Sequence, residues 1–252
     1  MPIPEVRIVG ITGIPEIRKG DNVGKLLAEA AARQGTPLLN GDVLAVTQKI
    51  VSKAEGRVID LATVQPSEFA IMLAQQWEKD PRQVEIVLRE SKRIVRMDHG
   101  VIITETKHGL ICANSGVDAS NIPGEEKVAL LPADPDASCR QIREEVRKLQ
   151  GANVAVLMSD SFGRPWREGI TNVAIGVAGM NPLRDYRGEE DAYGHVLHVT
   201  ITAVADELVC AAELVSQKAD MMPAAIIRGF SYEEIEGSMK ALLRPPGGDM
   251  FR

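Results

Sequence analysis

Two aspartates stand in settings that suit metal or phosphate chemistry. Asp118 lies in residues 114–121, which pack Asn, Ser and Gly together, and Asp160 with Ser161 follows the short apolar run at residues 154–158. Such a run reads as a strand buried on both faces, so Asp160 and Ser161 present oxygen ligands at the edge of a sheet. Oxygen ligands suit magnesium or manganese, hard cations held by one or two carboxylates plus waters and substrate phosphates. Neither loop has the dense acidic spacing of a calcium hand. Read alone, each aspartate is more often a loop cap or a turn residue.

A basic complement lies close by in sequence. Gln48, Lys49 and Lys53 crowd the end of a second apolar run, and Arg164 and Arg167 follow Asp160 within one turn or loop. Lys and Arg neutralise phosphoryl oxygens as point charge and planar fork respectively, although a solvated charged loop is the plainer account of any one of them. Residues 13–17, Gly-Ile-Pro-Glu-Ile, form a loop after a strand that either cups a base or ribose or simply turns the chain. His195 and His198 fall three apart in a segment that reads as a strand and so point to opposite faces; no accompanying carboxylate makes them a zinc pair. No GxxxxGK[ST] loop and no GxGxxG fingerprint is present, which disfavours the common nucleotide folds.

The elements that must position these residues follow no strict βαβ order. Strands are expected at residues 6–11, 42–51, 94–97, 101–106, 110–113, 128–131, 154–158, 196–204 and 224–227. Helices are expected at 22–34, 67–77, from Pro81 onward, and at 136–149, 205–218 and 232–243. Asp21 caps the first helix and Ser67 the second, and Pro81 suits the first position of the third. Residues 101–106 and 110–113 read as a hairpin turned at Gly109. In the helix at 205–218, Glu213 falls on the polar outer face. The mixture favours an α+β fold, mixed sheets with helices, over a doubly wound sheet.

Composition narrows the function classes. The chain has 252 residues, 44% hydrophobic and 25% charged, enough to form one large domain or two small ones without disulfide staples. Cys112, Cys139 and Cys210 match neither a zinc pattern nor a secreted framework, so each reads as a small buried hydrophobe in a reducing compartment. Without a basic leader or an apolar run of roughly 18 to 20 residues, a cytoplasmic protein with no membrane partner is expected. The balance of 29 basic and 35 acidic residues gives a net charge of −6, and no basic block marks a nucleic-acid partner. Any phosphate must therefore be bound by a local site or a metal.

Six motifs then occur in order over residues 8–252: GIPEIRKGD, GDVLAVTQKIVSKAEGR, ANSGVDASN, SDSFGRPWREG with AIGVAG, ADELVCAAELVSQKAD and IIRG. In combination they resemble the γ-glutamyl ligase family of the deazaflavin coenzyme F-420 pathway. The resemblance implies an unusual α+β fold that forms an intertwined homodimer. It implies one catalytic unit over residues 1–252, or two interleaved subdomains, with no fused C-terminal redox domain. The implied activity is GTP-dependent: L-glutamate is joined through its α-amine to the carboxylate of coenzyme F-420-0, further glutamates follow in γ-linkage, and an acyl phosphate is the intermediate.

The same resemblance implies two divalent ions, manganese or magnesium, with Asp118 and Asp160 holding one, Ser161 the other, and Gln217 as a further ligand. The implied GTP contacts are Ile14, Pro15, Glu16, Ile17, Gln48, Lys53, Asn121 and the stretch 215–222, with Ser216, Gln217, Lys218 and Asp220. Lys53 is expected to contact phosphate, and Arg164 and Arg167 to bind a substrate carboxylate or phosphate. For a general base, His99, His108, Glu55 and Glu168 all qualify by residue type. The chain departs from the family twice. Ser161 replaces a frequent Thr, and the 216–223 stretch carries Ser216 and Met221 where glycines are expected near a phosphate. Two other classes use the same residues: a metal-dependent phosphohydrolase, and a non-catalytic deazaflavin or nucleotide carrier.

Overall fold

The computed structural model describes residues 3–122, 124, 126–216 and 222–249. In chain order the first elements are β1 (Arg7–Gly10), α1 (Val23–Arg33), β2 (Val43–Thr47), α2 (Gln48–Ala54) and β3 (Val58–Asp60). Then come α3 (Glu68–Gln76), α4 (Pro81–Glu90), β4 (Ser91–Asp98), β5 (Val101–Thr106), β6 (Ile111–Ala113) and β7 (Lys127–Ala129). The last are α5 (Pro135–Gln150), β8 (Ala155–Arg164), β9 (Arg167–Ala178), β10 (Arg184–Asp185), β11 (Ile201–Thr202), α6 (Val204–Ser216) and β12 (Ala224–Arg228).

The main sheet has the order β1-β12-β2-β8-β9, and only the β2–β8 pair is parallel. Successive residues of β2, β8 and β12 are buried regardless of parity, so both faces of the sheet are covered. α5 packs on β8 and β9 and is crossed by α1, while α6 lies across β1, β12 and β9. One hydrophobic cluster fills this layer; a second, from Leu61 to Leu130, gathers α3, α4, Ile102 of β5 and Val128 of β7. The mixed sheets with helices make the α+β class plain.

Local chemistry accounts for the element ends. Asn22, rather than Asp21, caps α1: its side chain accepts the Lys25 N–H, while Asp21 accepts that of Arg18. Pro135 opens α5 behind its cap Asp134, and Gly151 closes it at φ 68°, a left-handed turn that glycine adopts without strain.

Three expectations shift. The strand expected at 42–51 stops at Thr47, and Gln48, Lys49 and Lys53 are helical; Ile50 and Val51 served equally as strand or as the buried side of a helix. The expected strand at 196–204 is reduced to β11, a short partner of β10. The expected helix at 232–243 is only a 3-10 turn at Met239–Leu242. At Gly237 a Cβ would collide with the Met180 carbonyl oxygen, so the chain there presses against backbone instead of coiling.

The largest addition is the hairpin of β8 and β9, ten and twelve residues long. Ser159–Arg164, expected as an end or loop, continues β8. The pairing shifts register twice: Met158 faces Gly176 and Ser159 faces Ala174, leaving Ile175 as an extra residue on β9, and near the turn Gly163 faces Ile170 while Arg164 faces Arg167. Gly176 lets α5 close on β9, since a Cβ there would meet the Pro135 carbonyl oxygen at 2.7 Å. Gly176→Ala is therefore expected to lose about 1–3 kcal/mol by overpacking, read as a lower urea midpoint; an unchanged midpoint would mean that α5 recedes freely.

Candidate active site

The carboxyl ends of β2 and β8 lie side by side, with Thr47 paired to Ser159. Beyond that pair α2 begins on one side and Asp160 and Ser161 continue on the other. A cavity of about 590 Å³ opens there. It is lined by Ile14, Pro15, Glu16 and Ile17 after β1, by Gln48, Lys49 and Lys53 of α2, and by Asp118, Ser120, Asn121 and Ile122. Asp160, Ser161, Ile170, Asn172, Glu213 and Ser216 complete most of the wall. The metal and GTP candidates outside 217–221 thus converge, whereas the two arginines and the four general-base candidates do not. Gln217, Lys218 and Asp220 lie outside the described residues.

Lys49 and Lys53 are four apart on α2 and reach different walls. Lys49 Nζ meets Asp118 Oδ2 at 2.7 Å and the Ser120 carbonyl and hydroxyl at 2.8 Å each. Lys53 Nζ meets Glu16 Oε1 at 2.6 Å. The Asp118 backbone is held by a bridge to Ala129, and its side chain accepts the Ser120 N–H at 2.7 Å. Burial works against ionisation of Asp118, but hydrogen bonds from Lys49 and the Ser120 N–H outweigh it and keep the carboxyl below its usual range.

Asp160 behaves oppositely. Burial, aided by the nearby Asp118 charge, pushes its carboxyl up to about 6 against the Ser161 N–H, which favours the ion. The buried Gln48 side chain lies near it, yet Nε2 finds no acceptor in hydrogen-bonding geometry among the described residues. Its Oε1 accepts from Ser52 Oγ at 2.7 Å. Ser161 Oγ donates to Asn172 Oδ1, and Asn172 Nδ2 to Glu213 Oε2, both at 2.8 Å.

Several candidates lie elsewhere. Arg164 and Arg167 sit at the tip of the β8–β9 hairpin, where the Arg164 guanidinium donates to the Glu168 carbonyl of its own turn. Glu55 accepts from the Ala133 N–H and the Ser138 hydroxyl, and the His108 ring bonds the Pro132 carbonyl. None of Glu55, His99, His108 and Glu168 lines the cavity. Cys112 and Cys139 are buried as expected, whereas Cys210 is half-buried.

Glu213 corrects an expectation, for it faces the cavity and β9 rather than an outer surface. Asn172 carried no signal in the sequence except that it is a lone amide ahead of an apolar run. Lys49 had the right type and place, but only the fold shows its reach to Asp118.

The cavity's donor set fits a hard divalent cation. Among the described residues no three His, Cys, Asp or Glu groups cluster as a metal cage. Two carboxylates and a hydroxyl remain, which leaves coordination positions for phosphate oxygens and water, the arrangement magnesium prefers. The imbalance points the same way, because among the described residues the lining acids Glu16, Asp118, Asp160 and Glu213 outnumber the lining cations Lys49 and Lys53.

Residues 12–229 match the family model of the F420-0:gamma-glutamyl ligases. The chain belongs to that family. It is 46% identical over 255 residues to the coenzyme F420:L-glutamate ligase of Methanopyrus kandleri, covering 99% of both chains. It is 43% identical to the enzyme of that name from Methanothermobacter thermautotrophicus over 250 residues, 98% of this chain and 99% of the relative. The Methanocaldococcus jannaschii ligase is 42% identical over 249 residues, 98% of this chain and 97% of its own. The matches run over 98–99% of this chain and so take in the segments that line the cavity. No helix among the described residues is long and apolar enough to cross a membrane.

The Asp160 shift sets a pH dependence for this ligase-family member. Folded, Asp160 holds its proton to about 6 against an ordinary 3.8, so the folded chain binds more protons in that window. Stability contributed by the protonated group is full below the lower value and falls as pH rises to the higher one. In chelator-treated protein, the urea midpoint of the wild type relative to Asp160→Asn is expected to drop between these two pH values. Parallel profiles would contradict the raised carboxyl.

Proposed function

We propose that this chain joins L-glutamate to the carboxylate of coenzyme F420-0, using GTP and a divalent metal, and then extends the product by γ-linked glutamates. The relatives' names supply coenzyme and amino acid. The observation that carries the rest is the cavity in which Asp118, Asp160 and Ser161 meet Lys49 and Lys53 at the ends of two parallel strands. Such strand ends are a recurrent ligand position in sheets with parallel pairs.

A carboxylate does not condense with an amine unaided, so one of its oxygens must become a leaving group. In this reading the γ-phosphorus–oxygen bond of GTP breaks as a carboxylate oxygen of the coenzyme bonds to phosphorus, and GDP leaves. The glutamate amine then attacks the acyl carbon, phosphate departs with the electron pair, and the amine loses its proton.

Phosphoryl transfer depends mainly on position and electrostatics. Asp118, Asp160 and Ser161 would hold manganese or magnesium, which would supply charge neutralisation at phosphate oxygens. Lys53 and Lys49 bind the same oxygens as point charges, exchanging Glu16 and Asp118 for phosphate. Residues 14–17 and Asn121 hold the nucleoside, with Gln48 and Ser216 lining the same cavity. The buried sheet ends shield the acyl phosphate from water.

A homodimer belongs to this reading as well. Trp166 at the hairpin tip, Tyr193 and Val199 beside the β10–β11 ribbon, and Leu214 on α6 are large exposed hydrophobic side chains, the kind of surface a second copy would cover. Arg164 and Arg167, remote from their own cavity, would meet substrate only through that copy.

Product mass decides the function. With F420-0, GTP, manganese and glutamate the wild type is expected to add whole glutamate increments, while Asp118→Asn and Asp160→Asn add none and keep a native circular dichroism spectrum. Near wild-type ligation by either variant would defeat the metal assignment. Phosphate release without an acceptor would favour a phosphohydrolase, and tight binding with no mass change a carrier.

A further inference from the structure

Asn172 is only 6% exposed, yet it is an amide set between β8 and α6. Register places it directly opposite Ser161, so the two side chains leave the same face of the hairpin. Both ends of the amide are engaged, and charge decides which end goes where. The Glu213 carboxylate can only accept, so the amide must turn its NH2 toward Glu213. That leaves Asn172 Oδ1 facing Ser161, and a carbonyl oxygen also only accepts. Ser161 must therefore donate its proton to Asn172, and what its hydroxyl offers the cavity is lone pairs.

We propose that Glu213 and Asn172 form a positioning relay that fixes the Ser161 hydroxyl as an acceptor, the only state in which it can hold a divalent cation. Without the relay the hydroxyl rotates, and its proton can point to Asp160, Asp118 or the cavity itself. A proton aimed inward would repel the cation that the site needs. The inference rests on Ser161 as a metal-holding group, as argued above. Neighbouring contacts keep the relay in register. Asp206 Oδ1 accepts the Ala174 N–H at 2.8 Å, and Cys210 Sγ donates to the Asn172 carbonyl at 2.9 Å. Asp206, Cys210 and Glu213 recur at helical spacing, so one stripe of α6 grips β9 at Asn172 and Ala174.

Manganese alone, titrated into purified protein and followed by the electron paramagnetic resonance of the free ion, tests this without turnover. Asn172→Ala is expected to weaken manganese binding about tenfold, the lower end of what outer-shell partners contribute. In a Ser161→Ala background it should cause no further loss, because its effect passes through the missing hydroxyl. Glu213→Gln keeps size and fold while removing the group that dictates the amide's orientation; it should weaken binding in the same direction, by less. Wild-type affinity in both Asn172→Ala and Glu213→Gln, or an equal loss from Asn172→Ala in both backgrounds, overturns the relay alone. If Ser161→Ala binds manganese normally while Asp118→Asn does not, the metal role of Ser161 falls and the relay with it. If the wild type binds no manganese, the underlying reading falls first.

Discussion

β2 and β8 run side by side in the same direction between antiparallel neighbours, and their last shared pair is Thr47 with Ser159. A parallel pair needs a crossover connection, and here the crossover is everything from α2 to α5. The whole second hydrophobic cluster lies inside it. The chain that leaves the sheet at Thr47 must return at Ala155, and on the way the bridge between Asp118 and Ala129 delivers a carboxylate to the point of departure. Parallel pairing therefore does two things at once. It aligns two strand ends, and it obliges the intervening chain to build a wall over them.

That wall creates an electrostatic problem. Asp118 and Asp160 line one cavity, and the chain solves only half of the problem with its own cations. Lys49 satisfies Asp118, whereas at Asp160 burial outweighs the Ser161 N–H and the weaker help of Lys49 and the Gln48 side chain. A group pushed toward neutrality by its surroundings regains its charge when a cation arrives. A net charge of −6, with no basic block in the sequence, is thus compatible with the proposed binding of anionic substrates, because the field that matters is local.

The sequence exposed the chemistry better than the architecture. Asp118, Asp160, Ser161 and Lys53 were visible by type and neighbourhood, since oxygen and ammonium groups beside apolar runs stand out without any fold. The strand ending at Thr47 was blurred because Ile50 and Val51 satisfy strand and helix patterns alike. β9 was missed because its first residues are charged and polar, although a hairpin arm leaving the core is free to be both. Glu213 was misassigned for a related reason: periodicity separates apolar from polar faces, but a polar face can be the one turned to a site. The helix expected at 232–243 failed where Gly237 meets backbone, a contact between distant segments that no local pattern records. Contacts of that kind, like the reach of Lys49 to Asp118, exist only after folding.

The extra residue Ile175 divides the β8–β9 ribbon into two lengths whose pairs differ in register by one residue. On the core side, Val156–Met158 are matched to Gly176–Ala178, where α5 comes close to β9; beyond the irregularity, Ser159–Gly163 are matched to Ile170–Ala174, and a second shift sets this length off from the turn near Trp166. Carried straight through from the core, the register would set Val173 opposite Ser161, an apolar neighbour for a hydroxyl that needs an amide. The bulge acts as a slip joint: the core can be trimmed or lengthened by one position at Ile175 while the partners of Ser161 stay in step.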